Sequence, residues 1–259
     1  MEADRPLVAL VTGGSRGVGA ATALALADRG YDVLITYRNK AARASEVANE
    51  VRQRGVRALA VECDITNQEE RNRLFALLAE WSDHLDVLVL NASGGLERDL
   101  VAADPQYPMD INHDAQLAVL DGALPLMPRG ATVIFVTSHW AHRYGEVEQF
   151  PAYAPVAASK HAGEQALRRR QDKLRDQGIR LLVVTGDLIE GTITPKLLQR
   201  VAPGSIEQRR DDVGSLPTTT DMGEAIAIAA TDTTLPSGHT VVVGGRLESL
   251  RPLVGTPDG

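Results

Sequence analysis

The sequence predicts a single α/β domain: a doubly wound parallel sheet of about seven strands with helices on both faces. Three observations predict it. Short β-branched runs alternate with helical stretches along the whole chain, and strands separated by single helices run parallel, with their crossovers on the two faces. The first apolar run stops at a glycine-rich turn that opens a helix. No internal repeat, linker or low-complexity tract divides the 259 residues, so residues 1–259 read as one domain, long enough to bury a large core.

Taken in order, Leu7–Val11 is the first strand. Residues 20–27 read as a helix closed by Gly30, 33–37 as a strand, and 41–54 as a helix stopped by Gly55. A strand over 58–62 precedes a helix that runs to about Ser82. Asn67 caps it, its side chain suited to accept first-turn N–H groups. Val87–Leu90 is the continuous apolar run expected of a strand buried on both faces. A helix over 111–124, a strand over 132–137 and a long helix from Pro155 to about Gln177 follow, then a strand over 179–184. A helix over 221–230 and a strand over 240–243 complete the sheet, and residues from about 186 to 219 are expected to cover a substrate. In such sheets ligands bind at the strands' C-terminal ends.

Composition narrows the function. Apolar residues make up 44%, near the globular average, and no run is long enough to cross a bilayer. Residues 1–6 are too short and polar for a signal peptide, so a cytoplasmic protein without a membrane partner is expected. The single Cys63 permits no disulfide within the chain, and no metal site is expected. A formal charge of −7 without a basic run argues against nucleic acid. Only four of the 27 basic residues are Lys, at 40, 160, 173 and 196, which lowers the weight of any one Arg and raises that of Lys160. The Arg168-Arg169-Arg170 run reads as a solvated helix face.

The turn Thr12-Gly13-Gly14-Ser15-Arg16-Gly17-Val18-Gly19 follows a strand and opens a helix. Glycines at 13, 17 and 19 let the backbone turn tightly and approach a pyrophosphate at the positive end of the helix, as in a Rossmann-type dinucleotide site. A fold of this type that prefers NAD places an acid at the end of the second strand. Here Thr36-Tyr37-Arg38-Asn39-Lys40 stands instead. Arg38 and Arg16 are suited to clamp a 2′-phosphate, which favours NADP(H) over NAD(H); the alternative is two solvated arginines in an Arg-rich chain.

With these motifs the chain resembles the short-chain dehydrogenase/reductase family over nearly its whole length. Asp64-Ile65 resembles the family's adenine-contacting pair. Asn91-Ala92-Ser93 stands within the segment where the family has Asn-Asn-Ala-Gly, with the first Asn and the Gly changed. Asn112 matches the helix Asn that supports a relay water, Ser138 the catalytic Ser, and Lys160 in Ala-Ala-Ser-Lys the catalytic Lys. Thr185-Gly186 replaces the family's Pro-Gly, and Thr192 or Thr194 matches the Thr that touches the carboxamide. The resemblance implies a homodimer or homotetramer.

The departure falls on the acid. The family's Tyr-x-x-x-Lys spacing puts both side chains on one helix face, and the ammonium lowers the phenol's pKa so that it can protonate a carbonyl oxygen. Four residues before Lys160 this chain has Val156. Tyr153 is the first substitute. In a continuous helix it would lie on nearly the same face about 10 Å along the axis, but Pro155 suits a first turn and leaves Tyr153 just before the helix. The family places its Tyr about thirteen residues after the Ser; a loop insertion between Tyr144 and Phe150 accounts for the longer spacing here. The other sources are His142, whose ordinary pKa near 6.5 suits a donor, and a phenol on the substrate itself. His139 is expected to point away from Ser138 if the strand persists.

The expected function is NADPH-dependent hydride transfer to a ketone or quinone-like carbonyl of a largely apolar small molecule. Two alternatives remain at this point: an NADP(H)-binding sensor without turnover, and an epimerase or dehydratase that keeps its cofactor.

Overall fold

The computed structural model describes residues 5–201 and 203–253; residues 1–4, on which part of the signal-peptide reading rests, lie outside them. Seven strands form one parallel sheet in the order β3-β2-β1-β4-β5-β6-β7. The strands are β1 (Leu7–Val11), β2 (Tyr31–Tyr37), β3 (Ala58–Glu62), β4 (Val87–Leu90), β5 (Thr132–Ser138), β6 (Arg180–Gly186) and β7 (Thr240–Val243). The chain winds outward from β1 to β3, then crosses to β4 and winds the other way. That reversal leaves a crevice between the C-terminal ends of β1 and β4.

Between them run α1 (Gly17–Ala27), α2 (Ala41–Arg52) and α3 (Gln68–Trp81), then two short helices, α4 (Arg98–Ala103) and α5 (Tyr107–Met109), and α6 (Ala115–Ala123). After β5 come α7 (His139–His142), α8 (Ala154–Arg169) and α9 (Gln171–Asp176); after β6 come α10 (Ile193–Val201), α11 (Ser205–Val213) and α12 (Thr219–Thr231). One apolar cluster joins the sheet to α1, α2 and α12; the other joins it to α3, α6, α8 and α9. Asn67 caps α3 as expected, accepting from the N–H groups of Glu69 and Glu70.

Two expectations need correction. The helix read over 155–177 is two, because Arg170 at φ −91° and ψ −3° interrupts the helical backbone; Leu174 on the second piece is buried in the core. The helix read over 111–124 opens with a π-helical turn, Asp110–Asp114, and closes with a 3₁₀ turn, Leu124–Leu126, at Pro125. The stretch between β6 and α12 folds largely into α10 and α11. Among the described residues no helix is long and apolar enough to cross a membrane.

Candidate active site

Two adjoining cavities occupy the C-terminal side of the sheet. The larger, about 1120 Å³, is lined by the glycine turn, the end of β2, Asp64-Ile65, Asn91-Ala92-Ser93 and Thr192. The expected cofactor residues Gly13, Ser15, Arg16, Gly17, Val18, Gly19, Arg38, Asp64, Ile65, Asn91, Ala92, Ser93 and Thr192 all border it. Lys160 borders the second cavity, of about 290 Å³, together with Ser138, Tyr153 and Val156.

The turn is fixed from both sides. The N–H of Gly13 donates to Thr36 Oγ1 at 3.1 Å and that of Gly14 to the Thr36 carbonyl at 2.8 Å. Asn91 Nδ2 donates to the Thr12 carbonyl at 2.9 Å, tying β4 to β1 across the crevice. Gly13 and Gly17 have φ of +69° and +57°, which side chains with a Cβ rarely adopt. A Cβ on Gly19 would lie 2.4 Å from the Gly13 carbonyl. This cradle places the N-terminus of α1 against the cavity and fits a pyrophosphate.

Four cations, Arg16, Arg38, Lys40 and Arg43, line the cavity around the end of β2. Arg38 is already engaged: it donates to the Tyr107 hydroxyl at 2.6 Å and lies 4.0 Å from Glu97. Its guanidinium is held at the cavity's edge, with Glu97 offsetting part of its charge.

At the second cavity β5 ends in Ser138, whose Oγ accepts from the Ala141 N–H at 3.2 Å and caps α7. The Tyr153 hydroxyl donates to the same oxygen at 2.9 Å. Ser138 thus accepts two bonds and keeps its own proton for a third partner. Tyr153 is the N-cap residue of α8, just before the first helical turn, where Pro155 sits. Burial pushes its phenol above the ordinary value, opposed by the bond to Ser138. Lys160 follows two turns later, and burial drops its ammonium to about 8. Val156 is 2% exposed and packs in the apolar cluster of Trp140, Tyr153 and Leu188.

The remaining candidates are placed differently. Asn112 is buried with its amide saturated: Nδ2 donates to the Gly94 carbonyl at 2.9 Å and Ser159 Oγ at 3.0 Å, and Oδ1 accepts from Ser93 Oγ at 2.8 Å. Its side chain therefore clamps the β4 loop to α8 and has no group left for a relay water. His139 points away from Ser138, bridging Thr185 Oγ1 at 3.0 Å and the Gly245 carbonyl at 2.8 Å. His142 pairs through Nδ1 with the buried carboxylate of Glu164 at 2.9 Å and does not line the cavity. Burial pushes the Glu164 carboxyl up, but His142 and Arg168 outweigh it and hold the group low. That pairing engages Nδ1 and sets His142 outside the residues that line the cavity.

Sequence reading missed the pair that ties α11 to the end of β6. Asp187, at the end of β6, and Arg209, on α11, are both buried and form a bond of 2.7 Å. Asp187 also accepts from the Gly245 N–H at 3.1 Å, and Arg209 donates to the Ser249 carbonyl at 3.1 Å. An Asp directly after an apolar strand is the one signal that could have pointed to it.

A family model described as short chain dehydrogenase matches residues 7–201. The chain is 30% identical to 1-cyclohexenylcarbonyl-CoA reductase of Streptomyces collinus, over 96% of this chain and 90% of that protein. It is 34% identical to a hydroxynaphthalene reductase-like protein of Metarhizium acridum, over 61% of this chain and 58% of that protein. Among solved structures, the angucycline C-6 ketoreductase LanV with bound NADP is 27% identical, with a TM-score of 0.78 over 93% of this chain and 96% of LanV. A short chain dehydrogenase from Burkholderia cenocepacia in complex with NADP is 26% identical, with a TM-score of 0.80 over 93% of this chain and 97% of that one.

Proposed function

The chain belongs to the short chain dehydrogenase family, and from that premise we propose that it is an NADPH-dependent reductase of a ring-bearing carbonyl compound, with Tyr153 as its acid. The observation that carries this reading is the Tyr153–Ser138 hydrogen bond in a cavity that Lys160 also lines. NADP-bound relatives and the cations around Arg38 support the choice of cofactor. Relatives named for hydroxynaphthalene, angucycline and cyclohexenylcarbonyl substrates support a ring-bearing one.

When bound, NADPH supplies the hydride. The glycine turn and the N-terminus of α1 would hold its pyrophosphate, Asp64 and Ile65 its adenine, and Thr192 its carboxamide, with Asn91, Ala92 and Ser93 of the β4 loop lining the same cavity. Ser138 donates its free proton to the substrate oxygen and orients it. Tyr153 would give its hydroxyl proton to that oxygen. Lys160, mainly protonated at pH 7, would bind the nicotinamide ribose and stabilise the phenolate left on Tyr153. Asn112 is a positioning residue. Residues from about 186 to 219 cover the substrate, and Val156 stands where the family's Tyr would be.

The relative aligned over almost the whole chain favours a second reading. A cyclohexenylcarbonyl thioester is an α,β-unsaturated acyl group. Its reduction puts hydride on the β-carbon and the proton-accepting oxygen two bonds further away.

The test is NADPH oxidation against a panel of aryl ketones, quinones and α,β-unsaturated acyl thioesters, with deuterium from C4-labelled NADPH located in the product. Deuterium on a carbinol carbon supports carbonyl reduction, and deuterium on a β-carbon supports conjugate reduction. Tight NADPH binding with no turnover across the panel would favour the sensor instead.

A further inference from the structure

Arg38, just past the end of β2, stands between Tyr107, which opens α5, and Glu97, which immediately precedes α4; all three line the larger cavity. The Tyr107 ring is buried in the core cluster that holds Leu90 and Ile111, and its hydroxyl accepts from Arg38 Nη1 at 2.6 Å. Gly94 makes room for that hydroxyl, since a Cβ there would lie 2.8 Å from its oxygen. Burial and then the Glu97 charge push the phenol above its ordinary value, so it keeps its own proton for another acceptor. A buried ring cannot follow a turning guanidinium. The bond therefore fixes one of the five N–H groups of Arg38 and leaves the others to meet an anion.

Glu97 acts on the same guanidinium in the opposite sense. Its Oε2 accepts from the N–H of Gly95 at 2.8 Å and of Leu96 at 3.1 Å, which pins the carboxylate to the β4 loop. Oε1 then lies 4.0 Å from Arg38 Nη2, too far for a hydrogen bond but within reach of its field. The two side chains are 34% and 37% exposed, so solvent weakens that attraction. A phosphate drawn to Arg38 meets the pinned carboxylate as a like charge. Neither Tyr107 nor Glu97 has a part in the chemistry proposed for Ser138, Tyr153 and Lys160.

Resting on the NADP(H) reading above, we propose that Tyr107 and Glu97 set the strength of 2′-phosphate recognition through Arg38. Tyr107 is a positioning residue: it presents the guanidinium to the phosphate and raises selectivity. Glu97 is a specificity-determining residue: its fixed charge opposes the phosphate and lowers selectivity. Removing one or the other therefore shifts the same preference in opposite directions.

The test is calorimetric titration of the full chain with adenosine 2′,5′-bisphosphate and with adenosine 5′-monophosphate, so that affinity is read without nicotinamide or turnover. Wild type should prefer the bisphosphate. Tyr107→Phe, which keeps the ring, should cut that preference about fivefold. Glu97→Gln, which keeps an acceptor for the Gly95 and Leu96 N–H groups, should raise it about threefold, and the gain should shrink at high salt. Affinity for the monophosphate should change little in either variant, which a merely structural loss would not give. Equal binding of the two nucleotides by wild type would remove the NADP(H) reading and this proposal with it. A wild-type preference that Tyr107→Phe leaves unchanged, or that Glu97→Gln fails to raise, would overturn this proposal alone.

Discussion

Tyr153 and Ser138 stand fifteen residues apart, and the hydroxyl of the first donates to the hydroxyl of the second at 2.9 Å. The bond joins a residue capping α8 to the last residue of β5. The long loop between them, with the short helix α7, lets the ring reach back to the strand end. Val156, one turn before Lys160 on the same helix, is instead part of an apolar cluster that includes Tyr153.

Lys160 sets an expected pH dependence. Burial holds its ammonium at about 8, below the ordinary 10.5. The charged form, to which we assign support of Tyr153 and the ribose, is present below that value and is lost as pH rises through it. The pH profile of kcat/KM should therefore fall above about pH 8. In Lys160→Arg, whose guanidinium stays charged, that alkaline limb should disappear even where the absolute rate is lower.

The sign of the stability effect follows from the same shift. Between about pH 8 and 10.5 the unfolded chain binds more protons at Lys160 than the folded one, so this group adds stability as pH rises through that window. The difference in denaturant midpoint between wild type and Lys160→Met should move in favour of wild type across the window.

Arg38 is expected to set cofactor preference. A charge-assisted bond to a 2′-phosphate contributes about 1.5–3 kcal/mol, so Arg38→Gln should weaken NADPH binding by about tenfold or more. NADH binding should change little. Titration by nucleotide fluorescence with both cofactors checks this, and equal losses would remove Arg38 from 2′-phosphate recognition.

Local patterns made much of the fold and part of the site readable from sequence. The glycine turn, β-branched runs such as Val87–Leu90, and the Asn67 cap each declare themselves within a few residues. The seven-residue spacing to Lys160 makes Tyr153 a candidate, and Pro155 places it just before the helix, where it stands. What could not be read depends on contacts between distant segments. The partner of His142 is Glu164, 22 residues later, which bonds its Nδ1. Asn112 is consumed by Gly94 and Ser159, 18 and 47 residues away. Helices α10 and α11 carry mixed charges that mask their folding, and the bond from Arg209 to Asp187 has no local signature.

That ion pair gives a stability prediction. Removing one partner of a buried pair leaves an uncompensated charge and costs about 3–5 kcal/mol. Arg209→Leu should lower the unfolding free energy by about that amount, and the double variant Asp187→Leu/Arg209→Leu should lose less than the single. Urea denaturation of the three chains measures both, and proteolysis should cut α11 faster in the single variant.

The most direct measurement of the central claim is a single turnover of bound NADPH with saturating substrate, comparing wild type with Tyr153→Phe. With Tyr153 as acid, the hydride step should slow by about 10²–10⁴, while the NADPH dissociation constant stays within twofold of wild type. A Tyr153→Phe enzyme that oxidises NADPH at the wild-type rate would contradict the account and return the proton to the substrate itself.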